Sequence, residues 1–269
     1  MSKKVSILLW VASFIFMALL AIYQRVTGPT YPVSGKLNYH DKIIKYRFPR
    51  THDSGEDAVI NLIVPEQNFI GMLKFRRFKS SDEWSVVQMR RNGDTISAYI
   101  PTQPQAGKVI YQVSLVDGQE ITYVNQEPTI IRFKGHVPYA VLYPHIFFIF
   151  LSMVFSMRTG LEAWFRGSNQ SKYIVYTLLF LVLGGMILGP IMQKLAFGAF
   201  WTGWPFGHDL TDNKTFIGLF FWLIAFWQLK KNPGNRTWTI VAMFVFIAVF
   251  FIPHSVLGSE IDYTKFPTK

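Results

Sequence analysis

The sequence predicts a helical integral membrane protein with five spans and one all-β domain, an antiparallel sandwich, inserted after the first span. Two observations support this fold class. Five apolar segments occur along the 269 residues, one at the N-terminus and four in the C-terminal half. The stretch between the first two segments is polar and contains short alternating apolar runs, which are typical of strands. Half of the residues are hydrophobic, as expected for a chain with this many spans.

Each apolar segment is long enough, alone or with its flanks, to cross a bilayer. A helix needs roughly 20 mostly apolar residues to span a hydrocarbon core of about 30 Å. The predicted spans are residues 5–23, 137–157, 173–193, 216–229 with flanks, and 238–257. They divide the chain into a cytoplasmic tail and anchor (1–27), an outer β domain (28–136) and a four-helix bundle (137–269) with an aromatic outer loop at 195–215.

Loop charges predict the orientation of these spans. Basic residues concentrate in the N-terminal tail and in two loops on the same predicted side, where only Glu162 opposes them: Lys3, Lys4, Arg158, Arg166, Lys172, Lys230, Lys231 and Arg236. Such loops stay in the cytoplasm, whereas a long domain is translocated largely regardless of its charge. The sequence therefore predicts a cytoplasmic N-terminus in a cell (inner) membrane, with the β domain and the C-terminus outside.

Several classes of protein are excluded or disfavoured. The first span is predicted to be a retained signal-anchor, because it is long and no small-x-small cleavage site precedes Gln24. The absence of cysteine excludes disulfides, thiolate metal sites, cysteine nucleophiles and thioether haem attachment. The net charge of +11 does not indicate a nucleic-acid partner, because the unbalanced basic residues follow the positive-inside pattern of a membrane protein. No nucleophile-elbow, P-loop or dinucleotide-binding motif is present, which favours a non-catalytic role.

Seven short runs between residues 31 and 134 have the alternating pattern of strands. They are residues 42–48, 57–64, 69–78, 84–91, 94–100, 108–116 and 129–134. Asn92-Gly93 and Asp117-Gly118 lie between such runs, and dipeptides of this kind are the strongest short-range hairpin signal. So many short strands without a helical period predict an antiparallel β-sandwich.

Within this stretch, about fifty residues carry a spaced pattern of aromatic, turn and apolar positions: Phe75-Arg76-Arg77, Trp84, Val87, Met89, Gly93-Asp94, Ala98, Ile100-Pro101, Gln103, Gly107, Val109, Tyr111, Val113 and Asp117-Gly118. The pattern resembles extracytoplasmic immunoglobulin-like or fibronectin-type-III-like modules, although the cysteine pair of antibody domains is missing. Trp84 and Tyr111 are expected to supply large core rings, Pro101 to end a strand and Gly107 to let the chain re-enter the sheet. The resemblance implies a binding or spacing module, since function lies in sites grafted on such folds.

Six basic residues of the outer domain form a candidate patch for an anionic partner: Lys74, Arg76, Arg77, Lys79, Arg90 and Arg91. The alternative is that they are only the solvated face of neighbouring strands, paired with Asp82, Glu83 and Asp94. A run of charges more often marks a wet surface than a binding site.

Three histidines are predicted to lie near the outer membrane face. His145 lies inside the second span, His208 in the outer loop and His254 near the outer end of the fifth span. An imidazole within an apolar segment is costly and usually faces the bundle interior, so each histidine marks a candidate site. With Asp209 or Asp212 as ligand, second shell or proton acceptor, the histidines suit a transition metal such as zinc, iron or copper. A histidine pair could instead hold haem b, and a quinone is a third candidate.

The same residues have a structural interpretation. His208 and Asp209 would anchor a re-entrant aromatic loop, while His145 and His254 would bond to neighbouring helices. Thr211 or Asp212 would cap the fourth span.

Two further features belong to this structural interpretation. Trp201 and Trp204 in the loop are expected at the headgroup level of the bilayer. Gln193 would satisfy backbone groups freed by the nearby proline, and the Gly184-Gly185 pair would form a close-packing face between helices.

Two functions from different classes therefore compete. The first is an accessory or scaffold subunit that presents the outer domain to another membrane or periplasmic protein. The second is a membrane redox or metal-dependent protein that uses the outer histidines. An interaction module without an enzyme motif favours the first function.

Overall fold

A computed structural model describes residues 1–39, 42–254 and 256–265 of the chain. Its contacts divide the chain into two compact units. The helical unit consists of Met1–Pro29, Val137–Leu195 and Ala199–Gly258. The β unit consists of Thr30–His136, Ala196–Gly198 and the end of the chain from Ser259. The β unit is therefore assembled from three separate pieces of chain.

The helices follow the predicted apolar segments in order. They are α1 (Lys3–Thr27), α2 (Tyr139–Trp164), α3 (Gln170–Leu181), a π segment (Val182–Leu188), α4 (Gly189–Phe197), α5 (Leu210–Lys231) and α6 (Thr237–Phe251). Three of these stretches are long and apolar enough to cross a membrane: α1, α2 and the continuous helical run Gln170–Phe197. The chain therefore has the helices of a membrane protein combined with a β domain.

Several helix boundaries differ from the predicted ones. α2 continues to Trp164, so Arg158 and Glu162 lie inside a helix and not in a cytoplasmic loop. α5 begins at Leu210, which shortens the outer loop from the predicted 195–215 to residues 198–209. The excess of basic residues in the predicted cytoplasmic loops is unchanged, because removing Arg158 and Glu162 from the loop removes one charge of each sign.

α6 is also shorter than the predicted segment 238–257. It has 15 residues and is about 22 Å long at the usual rise of 1.5 Å per residue. The helix ends before Ile252-Pro253, and a helix commonly ends at the residue preceding proline.

Apolar side chains from α1, α2, α3, α5 and α6 form one core, with these members buried most deeply: Met17, Ile174, Leu181, Trp222, Ala242 and Phe246. Large apolar side chains also cover the outward face of α1, where Ile7, Leu8 and Leu19 are exposed. A helix that is apolar on its outer face as well as its inner face fits a lipid environment.

The π segment precedes Pro190, whose missing N–H and bulky ring disturb the regular helical ladder. The N–H of Gly189 donates to the carbonyl of Gly184, five residues earlier. Gly184 also packs closely against α2, since a Cβ at this position would lie 2.7 Å from the backbone nitrogen of Ile149. The predicted close-packing role is therefore confirmed for Gly184.

The β unit contains eleven strands in its described part. They are β1 (Val33–Tyr39), β2 (Lys42–Phe48), β3 (Thr51–Asp53), β4 (Ala58–Ile63), β5 (Ile70–Arg77), β6 (Ser85–Gln88), β7 (Arg90–Asn92), β8 (Thr95–Ile100), β9 (Lys108–Asp117), β10 (Glu120–Tyr123) and β11 (Thr129–Lys134). β1, β3 and β10 were not predicted. The predicted strand 84–91 is divided at Met89 into β6 and β7, which join different sheets.

The strands form three sheets around one apolar core. The largest has the order β3-β11-β9-β5-β6, with β10 also paired to β9. The second has the order β4-β8-β7, and β1 pairs with β2. β3 runs parallel to β11, whereas the other pairs are antiparallel. Buried residues from all three sheets meet in the core, which includes Tyr111 as predicted.

Several local predictions for this domain are confirmed. Gly93 and Gly118 have positive φ values of 58° and 57° at the β7–β8 and β9–β10 turns. β8 ends at Ile100, directly before Pro101. The expected core position of Trp84 is wrong, because its ring is partly exposed beside Lys74 and Arg76 and is not part of the core.

The two short pieces of chain bond directly to the main part of the β unit. The N–H of Gly135 donates to Ala196 O over 2.8 Å, and the N–H of Ile261 donates to Ala106 O over 3.2 Å. Near the end of the chain, Glu260 forms ion pairs with both Lys79 and Lys108. The piece of chain from Ser259 onwards is therefore part of the β unit.

Candidate functional site

The carboxylate of Asp212 organises the outer loop of the helical unit. Its Oδ2 accepts hydrogen bonds from the backbone N–H groups of Thr202 (2.7 Å) and Gly203 (2.9 Å) and from Nε2 of Gln193 (3.1 Å). The side chain is buried. Hydrogen bonds to an ionised acceptor are about twice as strong as neutral ones, so this carboxylate fixes the loop firmly. Gln193 also donates to Oγ1 of Thr202, so both of its hydrogen bonds go to side-chain oxygens, one in the loop and one in α5. The prediction that Gln193 satisfies backbone groups is therefore wrong.

Asp209, not Thr211 or Asp212, is the N-cap of α5. Its Oδ1 accepts from the N–H of Thr211 over 2.8 Å, which satisfies one of the free amides at the helix start. Its Oδ2 accepts from Thr202 Oγ1 over 3.3 Å. Both aspartates proposed as ligands or proton acceptors thus accept hydrogen bonds from the loop and from the helices on either side of it.

The loop approaches α5 closely at Gly203, where a Cβ would lie 2.5 Å from Cβ of Asp212. Beyond this contact, Trp204 N–H donates to Asn213 Oδ1 over 2.7 Å, and Trp201 Nε1 donates to Trp204 O. The ring of Trp204 is exposed, whereas Trp201 is half-buried. The predicted interface loop is therefore a bonded structure with an exposed aromatic tip.

The structure places the three predicted histidines in different surroundings. His145 Nδ1 lies 2.9 Å from Gly184 O in the π segment, so it bonds a neighbouring helix as the structural interpretation expected. His208 and His254 are both exposed. Across residues 1–39, 42–254 and 256–265, no three His, Cys, Asp or Glu side chains are grouped so that they could hold a metal ion. Asp212 accepts from the loop backbone, whereas Asp209 accepts from the N–H of Thr211 and the hydroxyl of Thr202.

The end of α6 is completed by side chains from two other helices. Gln24 of α1 donates to the carbonyl of Phe250, and Lys214 of α5 donates to Ile252 O over 3.2 Å. The last carbonyls of a helix have no partner within it and carry a partial negative charge, so an amide and an ammonium group suit them. Lys214, which falls within the predicted loop 195–215, is buried and lies instead in α5.

Arg158 and Glu162 are the most deeply buried charged residues of the helical unit, although the sequence predicts that both lie in a cytoplasmic loop. Arg158 Nη1 lies 2.6 Å from Glu162 Oε2, and both side chains are fully buried. The guanidinium lies over the rings of Trp10 and Tyr173, with distances of 5.4 and 4.9 Å to the ring centroids. Trp10 is in α1 and Tyr173 in α3, so this one group connects three helices.

A sequence signal could have revealed this pair. Arg158 and Glu162 are four residues apart, the spacing at which opposite charges meet on one helix face. The first strong helix-stop sequence after them is Gly167-Ser168-Asn169, which allows α2 to include both charges. Glu162 then accepts from the N–H of Asn169 over 2.9 Å and helps to fix the turn into α3.

The six basic residues of the β unit do not form one patch. Lys74 and Arg76 lie on β5 beside Trp84, with Nζ and the guanidinium carbon 4.5 and 4.8 Å from the ring centroid. Arg90 and Arg91 lie on β7 in another sheet, and Arg91 donates to the carbonyls of Val64 and Phe69.

The remaining two basic residues are neutralised by carboxylates. Arg77 forms a bidentate pair with Asp82, with distances of 2.6 and 2.7 Å, and Lys79 pairs with Glu260. Hydrogen bonds from Arg77 lower the pKa of Asp82 and the same pairing raises that of Arg77. The predicted pairing with Asp82 is confirmed, and only Lys74, Arg76 and Arg90 are left for an anionic partner.

The chain matches no known protein family, no curated protein and no solved structure. The buried polar groups of the helical unit hold loops and helix ends in place. The cationic and aromatic groups around Trp84 are accessible at the surface of the β unit.

Proposed function

We propose that the protein is a membrane-anchored accessory or scaffold subunit that presents an extracytoplasmic immunoglobulin-like domain to a partner protein at the outer membrane face. One observation carries this proposal. The β unit has its own apolar core and, beside it, a surface where Trp84, Lys74 and Arg76 lie next to the exposed strand β6. Aromatic and arginine side chains are the residues that most often dominate binding between proteins.

Strand pairing supports an immunoglobulin-like arrangement of the β unit. In such domains one sheet contains the second and fifth principal strands, and the other contains the third, sixth and seventh. β4 pairs with β8, while β5, β9 and β11 are consecutive neighbours in the larger sheet. These pairings correspond to that distribution, with β1–β2 as an additional hairpin.

The β unit is formed by three separate pieces of chain, and this arrangement supports five spans. Residues 196–198, at the end of α4, and residues 259–265, after α6, belong to the same compact unit as residues 30–136. A compact domain occupies one side of a bilayer, so the chain must cross an even number of times between successive pieces. α2 with the run from α3 to α4 supplies one pair of crossings, and α5 with α6 supplies the other. Together with α1, the proposed arrangement has five spans, with both the β unit and the C-terminus outside.

Isolation from native membranes in mild detergent tests the proposed function. We expect the full-length protein to copurify with a second subunit in a fixed ratio and to lose it on Trp84→Ala. Tyr99→Ala is the matched control, because Tyr99 is an exposed aromatic residue on the other sheet. A purified protein with a Soret band, or with stoichiometric transition metal that is lost on His208→Ala, would instead favour the redox function.

The topology has a separate test. A reporter fused after Lys269 should be active only on the outer side of the membrane. Activity restricted to the cytoplasm would contradict the five-span arrangement.

A further inference from the structure

Strand β6 forms an open edge of the larger sheet. In the part of the chain that the structure describes, it pairs with β5 and with no other strand. All four of its residues, Ser85 to Gln88, are exposed. An edge strand of this kind presents backbone groups to which another chain can pair.

The pattern of hydrogen bonds between β5 and β6 identifies which backbone groups of β6 face away from the sheet. The N–H of Met89 donates to Gly71 O over 2.7 Å, directly after the pair Gln88 and Met72. In antiparallel strands, hydrogen-bonded and non-hydrogen-bonded pairs alternate along the ladder. Val87 and Ser85 therefore bond towards β5, whereas the N–H and C=O groups of Val86 and Gln88 point away from it.

Positive charge lies beside this edge. Lys74 is directly opposite Val86 in the register, and both Lys74 and Arg76 lie over the ring of Trp84, just before β6. Neither cation forms an ion pair with a carboxylate within the described ranges, in contrast to Arg77 beside them. Glu83 is exposed and pairs with neither of them. The edge therefore combines unpaired backbone groups with two cations that lack a counter-charge.

We propose that β6 binds an extended, acidic segment of a partner protein as an added strand. The segment bonds to the outward backbone groups of Val86 and Gln88, and its carboxylates lie near Lys74 and Arg76. Strand addition of this kind derives affinity from main-chain hydrogen bonds and specificity from side chains along the strand. The inference rests on the proposed scaffold function and names the chemistry of the partner.

The distinction from a membrane surface is also structural. Anionic lipid headgroups interact with Lys and Arg but do not need the N–H of Val86. A change confined to that N–H therefore separates peptide binding from electrostatic adsorption to a bilayer.

Fluorescence anisotropy with the full-length protein in phosphatidylcholine nanodiscs tests the proposal. The probe is a labelled eight-residue peptide of alternating Glu and Val, and its Lys-Val counterpart is the charge control. Val86→Pro removes one outward N–H without touching the β5 ladder, and proline is tolerated where the N–H faces away from the sheet. Val86→Ala is the matched control for the lost side chain. We expect the Glu-Val peptide to bind, the Lys-Val peptide not to bind, and Val86→Pro to weaken binding by about fivefold or more, whereas Val86→Ala has little effect.

The charge contribution is measured in the same assay. Combined Lys74→Gln and Arg76→Gln should weaken binding of the Glu-Val peptide and make it insensitive to salt. Gln88→Pro replaces Val86→Pro if the latter does not fold, as judged by its thermal unfolding. Equal affinities of the wild type and these proline variants would overturn the proposal, as would the absence of peptide binding. A third outcome would overturn the proposal in favour of a lipid surface. In that case the protein would bind phosphatidylglycerol vesicles but not the peptide, and vesicle binding would depend on Lys74 and Arg76 but not on the N–H of Val86.

Copurification separates this inference from the function on which it rests. A partner that copurifies equally with wild type and Val86→Pro leaves the scaffold function standing and places docking elsewhere. If no partner copurifies although the peptide binds, the scaffold function fails while the binding edge remains.

Discussion

The ion pairs of the two units differ in their exposure to solvent. In the β unit, Glu260 pairs with Lys79 and Lys108 at a surface where 24% of its side chain remains exposed. In the helical unit, Arg158 and Glu162 are both 0% exposed. Exposed pairs contribute little because water already solvates each partner, whereas a buried charge without its partner is very costly. An ion pair is therefore expected to contribute little to the stability of the β unit, whereas loss of one partner is expected to destabilise the helical unit strongly.

The largest effect is expected for Arg158→Ala. The substitution leaves Glu162 in the interior without its charge partner and removes the group between Trp10 and Tyr173, so we expect a loss of about 3–5 kcal/mol in the free energy of unfolding. Chemical denaturation of the detergent-solubilised protein measures this loss. The control is Arg158→Met combined with Glu162→Met, which fills similar space without charge and should cost far less. A cost below about 1 kcal/mol for the single variant would show that the pair resembles those at the surface.

Asp212→Ala is expected to be the next most severe change. It removes the acceptor of the Thr202 and Gly203 amides, and unfolding should become easier by about 2–3 kcal/mol because hydrogen bonds to a charged group are lost. Hydrogen exchange of these two amides should accelerate in parallel. Asn213→Ala is a control that frees only the Trp204 amide and should cost about 1 kcal/mol. Unchanged protection of Thr202 and Gly203 would contradict the assigned role of Asp212.

Gly184→Ala tests close packing inside the helical unit. The added Cβ would meet the backbone of α2, so we expect a loss of about 1–3 kcal/mol through overpacking. Gly189→Ala is the matched control in the same helical run, because the nearest atom to its Cβ would be 3.4 Å away. Thermal unfolding in detergent compares the two variants. Similar effects of both substitutions would argue against a specific contact at Gly184.

The smallest effect is expected for Glu260→Gln in the β unit. Burial opposes ionisation of Glu260, but hydrogen bonds from Lys108 and Lys79 outweigh it and keep its pKa below the ordinary value. A carboxyl group whose pKa is lower in the folded state stabilises the protein above its unfolded pKa of about 4.3 and loses this contribution as the pH falls through the folded pKa. We expect Glu260→Gln to cost about 0.5–1 kcal/mol at pH 7 and almost nothing at low pH.

The pH dependence of the melting temperature, measured for wild type and Glu260→Gln side by side, checks this expectation. Glu83→Gln is the control, since Glu83 is exposed and is not among the ion-paired residues described. A wild-type advantage that persists unchanged at pH 3 would show that the carboxylate charge is not its source.

The sequence predicted elements better than it predicted contacts. Apolar segments and the turns at Gly93 and Gly118 located the helices and most strands, because their signals are local. β3 and β10 are too short for an alternating pattern to identify them. Trp84 was assigned to the core because size favours burial, but the pairing of β5 with β6 places its ring beside two cations instead.

The candidate site was harder to predict for a related reason. Asp209, Asp212 and His145 are residue types that can bind a metal ion. The same residue types can also form hydrogen bonds with the protein backbone. Only the path of the loop, which brings the amides of Thr202 and Gly203 to Asp212, decides between these roles. The residues that fix this path are 9 to 19 positions apart and follow no helix or strand period, so the sequence pattern does not reveal their contacts.

The completion of α6 by Gln24 and Lys214 has a consequence for the order in which the protein is made. α1 and α5 precede α6 in the chain, yet the terminal carbonyls of α6 are satisfied by the Gln24 amide of α1 and the Lys214 ammonium group of α5. When α6 is synthesised, the side chains that complete its end therefore already exist in helices made before it. The end of α6 can reach its final hydrogen bonding only by packing against these earlier helices.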